Sequence, residues 1–387
     1  MSHLNCNLCG TALNDKIYDS GDALSLTSLC TVHEGRTEVY ACGCCAHVQS
    51  AAMEDIDAYY DDNYDILVDS EEEDQIYEVV AGRKVYRTEH QVRVLREKLA
   101  LAPGMKILDY GCAKSSTMRT LVGQIPELEV HLFDVSDRYR PFWDKFIPAE
   151  RGATFELPVD WYGRFDAVTS FFSLEHMAQP QDALRKIASV LKAGGTFYGI
   201  VPNVLANTAD LIVVDHVNHF TPPSLALLLR ANGFGVVEIS DSAHRGALVF
   251  MARKLDQRAD VHPPAHAEVH AIAQSARRIA DFWQQAGSRV QAFEQTLAPD
   301  APVALYGAGF YGAFIASWLR QPQRIRCVID QNSFLQGRQL HGAPVIAPAA
   351  LPADIHTLLV GLNPAHARKV IGDIASFAGR PLNCFYL

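Results

Sequence analysis

The sequence lacks an excess of positive charge. Its 34 Lys and Arg residues are outnumbered by 44 Asp and Glu residues, which gives a formal net charge of −10 over 387 residues. Proteins whose main function is to bind the phosphate backbone of a nucleic acid have clusters of lysine and arginine on the binding surface. Nucleic acid is therefore not an expected partner. A disordered chain is excluded as well, because 49% of the residues are hydrophobic and only 20% are charged.

Long apolar runs are also missing. No stretch reaches the roughly 18–20 residues that cross a bilayer, and the start of the chain has neither a basic segment nor an apolar leader. We therefore expect a cytoplasmic protein with no membrane partner. The chain has no repeat of fixed period, and its length predicts two to three domains at about 100–200 residues each.

Cysteines are concentrated near the amino terminus, where six of the nine fall within the first 45 residues. Cys6 and Cys9 form one CxxC pair, and Cys42 and Cys45 form a second. Four thiolates of this kind can close a tetrahedral zinc site, which we expect to be structural because no coordination position is left for substrate. Buried or redox-active thiols are the alternative. Other possible ligands in this segment are Cys30, His33 and Cys44.

Composition and pattern divide the chain into three predicted domains. We expect a zinc-binding module over residues 1–74, a second domain over residues 75–254 and a third over residues 265–387, with a polar, proline-containing linker over residues 256–264. The acidic run that ends at Asp74 is interpreted as a solvated surface. A helical pattern is predicted from Gln75 to Ala102.

The second domain alternates strand-like and helix-like segments, which is typical of βαβ units with a mostly parallel sheet. The predicted strands are Lys106–Leu108, Glu129–Phe133, Phe165–Phe172, Gly195–Val201, Val236–Ile239 and Ala247–Ala252. The predicted helices between them are Ser116–Gly123, Pro180–Leu191 and Pro223–Ala231. The third domain begins with a long helix over about residues 265–297.

The first of these strands runs into a turn of small residues. Asp109 is followed by Gly111, Ala113 and Ser115, which allow a ligand to approach the backbone, and the next helix presents free N–H groups. The second strand ends at Asp134, where a carboxylate can accept the hydroxyls of a ribose. The pattern indicates a nucleotide-like ligand.

Three motifs together resemble the class I S-adenosylmethionine-dependent methyltransferases over roughly residues 100–205. They are ILDYGCAKS at 107–115, FDAVTSFFSLEH at 165–176 and LKAGGTFYGIVPN at 191–203. The resemblance implies a Rossmann-like α/β fold and S-adenosylmethionine as cofactor. It implies that the cofactor-binding residues are Asp109, Gly111, Ala113, Ser115 and Asp134. Ala113 and Ser115 stand where the family usually has glycine.

A further motif, DHVNHF at 215–220, contains a candidate general base. Imidazole titrates near neutral pH, and the adjacent Asp215 can orient His216 or stabilise its charge. Polar packing is one alternative. A metal site built from Asp215, His216 and His219 is another.

The three-domain arrangement resembles the sugar C-methyltransferases that act on nucleotide-linked keto sugars. That resemblance implies His216 as the base with Asp215 beside it, His176 in the active site, and a Rossmann-like carboxy-terminal domain. His219 replaces a usual Tyr and becomes a candidate substrate contact, as does Tyr64. O- or N-methylation of another small metabolite is an alternative function, and a non-catalytic binding protein is a further one.

The third domain contains a GxGxxG pattern from Gly307 to Gly312, with Asp330 ending the next strand. This context fits a dinucleotide site and hence a nicotinamide-dependent enzyme. The resembled family carries a similar pattern without using nicotinamide there, so we expect a scaffold or substrate-binding role. Cys112 has no evident partner base and is interpreted as a packing residue.

Overall fold

The computed structural model describes residues 4–53, 70–80, 82–257 and 261–387. They form two compact units. The first unit comprises the described residues up to Ile17, from Val39 to Asp210 and from Asp215 to Ala276. The second comprises Tyr18–Glu38, Leu211–Val214 and Arg277–Leu387. Within the described ranges, no helix has both the length and the apolar character needed to cross a membrane.

The regular elements alternate along most of the chain. The strands are β1 Lys16–Asp19, β2 Ser25–Leu26, β3 Val32–His33, β4 Glu38–Ala41, β5 Val48–Ser50, β6 Ile76–Val80, β7 Arg83–Tyr86, β8 Lys106–Tyr110, β9 Glu129–Asp134, β10 Gly152–Thr154, β11 Phe165–Phe171, β12 Leu191–Pro202, β13 Asn218–His219, β14 Phe234–Ser240, β15 Ala247–Lys254, β16 Val303–Tyr306, β17 Ile325–Ile329, β18 Gln339–Leu340, β19 Ala343–Ile346, β20 Thr357–Val360 and β21 Asn383–Tyr386. The α-helices are α1 Arg87–Lys98, α2 Ser116–Gln124, α3 Arg140–Trp143, α4 Pro180–Val190, α5 Pro222–Ala231, α6 His266–Gln295, α7 Phe310–Trp318 and α8 Pro364–Gly372.

A seven-stranded sheet forms the core of the first unit, in the order β10-β9-β8-β11-β12-β15-β14. The first five strands in this order, β10, β9, β8, β11 and β12, are parallel. Strand β15 runs antiparallel to both of its neighbours. Ile107 and Leu108 of β8 are fully buried, as expected for a central strand covered on both faces. The strand order reverses between β8 and β11, and ligands of such sheets bind at the carboxyl ends of the strands flanking that point.

The predicted strands and helices of this unit are present with shifted ends, but the start of the predicted Gln75–Ala102 helix is wrong. Residues 76–80 and 83–86 form the antiparallel strands β6 and β7, and the helix begins only at Arg87. Gly82 adopts a φ of +81°, which suits the tight turn between the two strands. The apolar residues before Arg87 therefore belong to a two-stranded sheet.

A smaller four-stranded sheet, β1-β4-β5-β13, contains a strand from a distant part of the chain. In β13, Asn218 and His219 pair antiparallel with Gln49 and Val48 of β5. The DHVNHF motif is therefore joined by backbone hydrogen bonds to the cysteine-rich segment. This pairing determines where the candidate base lies.

The second unit contains a six-stranded sheet in the order β18-β19-β17-β16-β20-β21. All neighbours from β19 to β21 are parallel, and the short β18 is antiparallel. Trp283 of α6 is fully buried and stacks on Tyr311 of α7, with ring centroids 5.6 Å apart. This unit has the α/β architecture expected for the third domain.

Candidate active site

The loop after β8 has an unusual backbone. Gly111, Ala113 and Ser115 all have positive φ, at +67°, +44° and +54°. A side chain at Gly111 would place its Cβ 2.0 Å from the Oγ of Ser173, so only glycine fits there. The left-handed conformation costs a residue other than glycine about 1–2 kcal/mol of conformational energy, and this cost applies to both Ala113 and Ser115. Ser115 gains a hydrogen bond in return, because its Oγ donates to Asp109 Oδ2 at 2.6 Å.

Two buried carboxylates flank this loop. Asp109 also accepts a hydrogen bond from Thr169 Oγ1 at 2.8 Å, yet burial raises the pKa of Asp109 to about 7. Asp134, at the end of β9, accepts the backbone N–H of Ala113 at 2.7 Å and that of Ser136 at 3.2 Å. Burial raises the pKa of Asp134 to about 6. Both carboxylates are thus desolvated acceptors beside a loop that a ligand can approach.

A cavity of about 400 Å³ opens over this loop. Its lining includes Asp109, Gly111, Asp134, Phe172 and His176. The volume lies in the usual range of about 300–1,000 Å³ for a small-molecule pocket, and the glycine leaves backbone accessible. These residues fit the amino-acid and nucleoside parts of S-adenosylmethionine. All five predicted cofactor residues line this one cavity.

Cys112, the remaining thiol of this loop, is buried, and burial raises the pKa of its thiol well above its ordinary value. A thiol kept neutral is a poor nucleophile. Its Sγ lies 3.6 Å from the carbonyl oxygen of Ala113. These observations support the packing interpretation.

Behind the cavity lies a cluster of buried acids and histidines. His216 Nδ1 is 2.6 Å from Asp210 Oδ1, and His219 Nδ1 is 3.0 Å from Asp210 Oδ2. Asp210 lies in the turn Thr208–Ile212 and is fully buried. The carboxylate hydrogen-bonded to the candidate base is therefore that of Asp210, where the sequence analysis expected Asp215.

His176 connects this cluster with the cavity. Its ring lines the cavity and lies edge-to-face with that of His216, with the ring centroids 4.6 Å apart. Asp215, the predicted partner of His216, has its carboxylate 3.5 Å from Nδ1 of His176. Glu175 completes the group, since ligand-type atoms of Glu175, His176 and His216 all lie within 4.8 Å of one another. That set differs from the Asp215, His216 and His219 set considered as a metal site.

The charges of this cluster are strongly perturbed. Burial opposes charging of His216, but the hydrogen bond and charge of Asp210, with a smaller contribution from the charge of Asp215, raise the pKa of His216 to about 9. Burial would raise the pKa of Asp210, yet the charges and hydrogen bonds of His219 and His216 hold it below its ordinary range. Burial lowers the pKa of His176 to about 4. Asp210 and His216 therefore form an ion pair at neutral pH, next to a neutral His176.

Glu175 carries an unusual carboxyl group. It is 1% exposed, and its Oε2 has no hydrogen-bond partner within the described part of the chain. Burial raises the pKa of Glu175 to about 8. At neutral pH the group is therefore mostly protonated, which limits the negative charge of the cluster.

His219 was expected to contact substrate, but the structure places it elsewhere. The residue is fully buried, its Nδ1 is bonded to Asp210, and its Nε2 lies 2.8 Å from Oγ of Ser50. Both ring nitrogens are occupied, so the ring supports Asp210 and has no nitrogen left for a substrate. Tyr64, the other predicted contact, lies outside the described residues.

The end of the acidic run is not a simple solvated surface. Lys114 of the cofactor loop donates from Nζ to the carbonyls of Ser70 and Glu73, at 2.9 and 3.0 Å. Arg119 donates to the carbonyl and carboxylate of Glu71. Glu73 is 5% exposed. The segment of residues 70–74 is thus hydrogen-bonded to the cofactor loop through Lys114 and to the following helix α2 through Arg119.

The four cysteines of the two CxxC pairs lie together, with all Sγ atoms within 4.8 Å of one another. The Sγ atoms of Cys6 and Cys45 are 3.6 Å apart, and those of Cys9 and Cys42 are 3.5 Å apart. A tetrahedron with Zn–S bonds of about 2.3 Å has edges of about 3.8 Å, so the thiols fit a zinc ion. The cluster includes Cys45 and not its neighbour Cys44.

The glycine pattern of the second unit is explained by close backbone packing. A Cβ at Gly312 would lie 2.0 Å from the carbonyl oxygen of Gly307, and one at Gly307 would lie 2.4 Å from that of Gly361. Asp330 accepts the backbone N–H of Ala308 at 2.9 Å, as Asp134 does from its own loop. These glycines allow the start of helix α7 to pack closely against the turns that follow β16 and β20. The fold of the second unit therefore requires them whether or not a ligand binds there.

The sequence motifs did not indicate Asp210 or Glu175 as site residues. Asp210 precedes the DHVNHF motif by several residues, and no local pattern relates it to His216. Glu175 lies inside the LEH segment of the second motif, and nothing in the sequence indicates that its carboxyl group is buried. Only its place next to His176 could have drawn attention to it.

Comparisons with known proteins bear on this geometry. Residues 85–239 match the family model described as a methyltransferase domain. The matched segment therefore has the fold of a methyltransferase domain. It contains the cofactor loop, Asp134 and the His176–His216 pair. The predicted methyltransferase fold is confirmed for this part of the chain.

The curated relatives are similar over part of their length. The methyltransferase NovU of Streptomyces niveus, named a C-methyltransferase, is 25% identical over 221 residues, which is 52% of each chain. A ubiquinone biosynthesis O-methyltransferase of Xanthomonas campestris is 31% identical over 101 residues, which is 25% of this chain and 42% of that protein. The chain thus spans about half the length of the curated relatives it matches.

Among solved structures, 1,6-didemethyltoxoflavin-N1-methyltransferase of Burkholderia thailandensis, solved with S-adenosylhomocysteine, is similar at 23% identity. The alignment covers 44% of this chain and 78% of that one, with a TM-score of 0.34. A similarity of this size carries no conclusion about substrate.

Proposed function

We propose that this protein is an S-adenosylmethionine-dependent C-methyltransferase that acts on a nucleotide-linked keto sugar or a related small metabolite. The observation that carries the proposal is the placing of a buried Asp210–His216 pair directly behind the cavity of the methyltransferase domain. The name of the C-methyltransferase relative and the resemblance to sugar C-methyltransferases support the acceptor class.

The cofactor loop supplies the proposed cofactor site. Asp134 would accept the ribose hydroxyls, Asp109 would face the amino-acid end, and Gly111 would admit the ligand to the backbone. Ala113 and Ser115 would complete the loop. When bound, S-adenosylmethionine supplies an electrophilic methyl group on a sulfonium ion.

The histidine cluster supplies the proposed base. In its neutral form, His216 would be the final acceptor of the proton lost from the carbon next to the ketone of the acceptor, and Asp210 would stabilise the imidazolium that results. His176 lies between His216 and the cavity and would contact the acceptor or relay the proton. Asp215 orients His176 by its carboxylate. The buried surroundings exclude water, which favours close placement of donor and acceptor.

The test is the nature of the methylated product. The protein is incubated with cofactor labelled with ¹³C in the methyl group and with a panel of nucleoside-diphosphate-linked keto sugars, and the product is examined by NMR. A new ¹³C-methyl signal bonded to carbon is expected. A signal bonded to oxygen or nitrogen, or no transfer by a protein that binds the cofactor, would contradict the proposed acceptor.

O-methylation is the second candidate. It is favoured by the similarity of part of the domain to the ubiquinone biosynthesis O-methyltransferase. A hydroxyl acceptor also benefits from a base, so His216 would serve either reaction, and the same NMR experiment separates the two.

We further propose that Cys6, Cys9, Cys42 and Cys45 hold a structural zinc ion. The thiol spacing supports this, and four protein ligands leave no position for catalysis. For the second unit we propose a scaffold or substrate-binding role, which the packing function of Gly307 and Gly312 supports.

A further inference from the structure

Asn218 makes an extensive side-chain network from a fully buried position in β13. Its Nδ2 donates to the carbonyl of Leu174 at 3.0 Å and to that of Met177 at 2.7 Å. These two carbonyls lie on either side of Glu175 and His176. One amide group thus holds both ends of the turn that brings His176 to the cavity.

The other side of the same amide faces the cysteine cluster. Oδ1 of Asn218 accepts from Asn7 Nδ2 at 2.7 Å and lies 3.3 Å from His47 Nε2. Asn7 lies between Cys6 and Cys9, and its backbone N–H donates to the Gln49 side chain at 2.8 Å. The amide therefore joins the first CxxC pair to the active-site turn.

The orientation of this network is determined by chemistry. Carbonyl oxygens only accept, so Nδ2 of Asn218 must face Leu174 and Met177, and Oδ1 must face Asn7. Asn7 must then donate, which leaves its own buried Oδ1 without a partner in the described residues. A buried polar atom left unpaired has a cost, so the donating orientation of Asn7 is maintained against a local penalty.

We propose that Asn218 is a positioning residue that holds the His176 turn in register with His216 and links both to the cysteine cluster. The inference rests on the proposed function, since it concerns the geometry of that reaction. Within the described ranges, the side-chain hydrogen bonds of Asn218 do not reach any of the five proposed cofactor residues. It acts through the turn of residues 174–177 and through its neighbours in β13.

The strand itself does not depend on this side chain. The backbone of β13 pairs with β5, and Ser50 N–H donates to the carbonyl of Val217 at 3.0 Å. An isosteric change at position 218 should therefore leave the fold in place. Asn218→Asp replaces the donor with an oxygen that faces two carbonyls, and Asn7→Asp removes the donor on the cysteine side.

Gln181→Glu is the matched control. Gln181 Nε2 donates to the carbonyls of Asn7 and Leu8, at 3.1 and 2.9 Å, so it holds the same CxxC segment from helix α4. In the part of the chain that the structure describes, the side-chain hydrogen bonds of Gln181 do not reach residues 174–177 or 216–219. The substitution changes an amide to an acid, as in the two test variants, and loosens only the cysteine side.

The experiment compares turnover, cofactor affinity and thiol reactivity in the full-length chain. We expect Asn218→Asp and Asn7→Asp each to lower kcat by about tenfold or more, since small misplacements of reacting groups cost this much or more. The Kd for S-adenosylmethionine should stay unchanged, and a double variant should lose less than the product of the two single losses. Gln181→Glu should speed the reaction of the four thiols with a thiol reagent while kcat stays within about twofold of wild type.

Two results would overturn the proposal: wild-type kcat in Asn218→Asp, or an equal loss of kcat in Gln181→Glu, which would indicate general loosening. A wild-type chain that binds no S-adenosylmethionine refutes the proposed function, and the positioning claim is then read from imidazole proton NMR. In that spectrum Asn218→Asp must shift the His176 and His216 signals and Gln181→Glu must not. Unmoved signals contradict the positioning role.

Discussion

Residue-level chemistry explains the main features of the candidate site. His216 is buried beside a fully buried carboxylate, and this pairing outweighs the cost of charging it, so its pKa rises to about 9. His176 Nδ1 lies 3.5 Å from the Asp215 carboxylate, a longer contact than that of His216 with Asp210, and burial lowers the pKa of His176 to about 4. Two neighbouring histidines thus have opposite protonation states at neutral pH, an arrangement typical of acid–base sites.

Asp210→Asn should reduce turnover about 100-fold or more, because the imidazolium formed on His216 loses its counter-charge. The base must be neutral to accept a proton, so kcat/KM in the wild type should rise with pH up to about 9. Without the carboxylate the pKa of His216 falls, and the rising limb moves to lower pH. A pH–rate profile measures both effects.

Asp215→Asn is the control for that prediction. Its carboxylate lies against His176 and contributes less than that of Asp210 to the raised pKa of His216, so we expect a lower kcat with a smaller shift of the rising limb than in Asp210→Asn. Equal shifts of the limb in both variants would contradict the assignment of Asp210 as the partner of His216.

The cofactor loop allows a prediction about stability. Ala113→Gly removes left-handed strain of about 1–2 kcal/mol and adds chain entropy of about 0.5–1 kcal/mol to the unfolded state. The free energy of unfolding should therefore rise by between zero and about 1.5 kcal/mol. Ser115→Gly gains the same relief but loses the hydrogen bond to Asp109, so it should be no more stable than wild type. Urea denaturation measures both, and a destabilised Ala113→Gly would refute the strain argument.

At the scale of elements, the alternating strands and helices were predictable because the hydrophobic periodicity that identifies each one lies within a single segment of the sequence. The β6–β7 hairpin was not, because Ile76, Val79 and Val80 satisfy helical spacing and strand propensity alike. Their pairing with residues 83–86 makes them a strand and not a helix. The pattern of residues 76–80 alone does not show that this pairing occurs. Asp109 and Asp134 were predictable from local motifs, whereas Asp210 meets His216 only after the turn Thr208–Ile212 has folded.

The cysteine cluster gives a prediction at this scale. Cys45→Ser should abolish binding of the one zinc ion expected per chain and lower the melting temperature, because the thiol belongs to the cluster. Cys44→Ser changes the adjacent residue, which lies outside the cluster, and should retain the metal and the stability. Metal content by mass spectrometry and thermal unfolding measure these effects. Metal loss in both variants, or zinc in neither the wild type nor Cys44→Ser, would refute the four-thiol site.

On the scale of the whole molecule, the chain contains two largely parallel sheets. In each of them one strand ends in a turn of small residues. In the first unit Asp134 accepts an N–H from its turn, and in the second Asp330 does the same. The sequence alone could not decide which turn serves a ligand. The structure shows a cavity of about 400 Å³ over the first turn, and in the second it shows glycines required by backbone packing.

The central claim is that the first turn binds S-adenosylmethionine, and calorimetric titration of wild type, Asp134→Ala and Asp330→Ala tests it most directly. The two variants remove equivalent carboxylates from the two turns. We predict micromolar binding in the wild type, little or none in Asp134→Ala, and wild-type affinity in Asp330→Ala. No binding to the wild type, or binding that is lost in Asp330→Ala and kept in Asp134→Ala, would contradict the account.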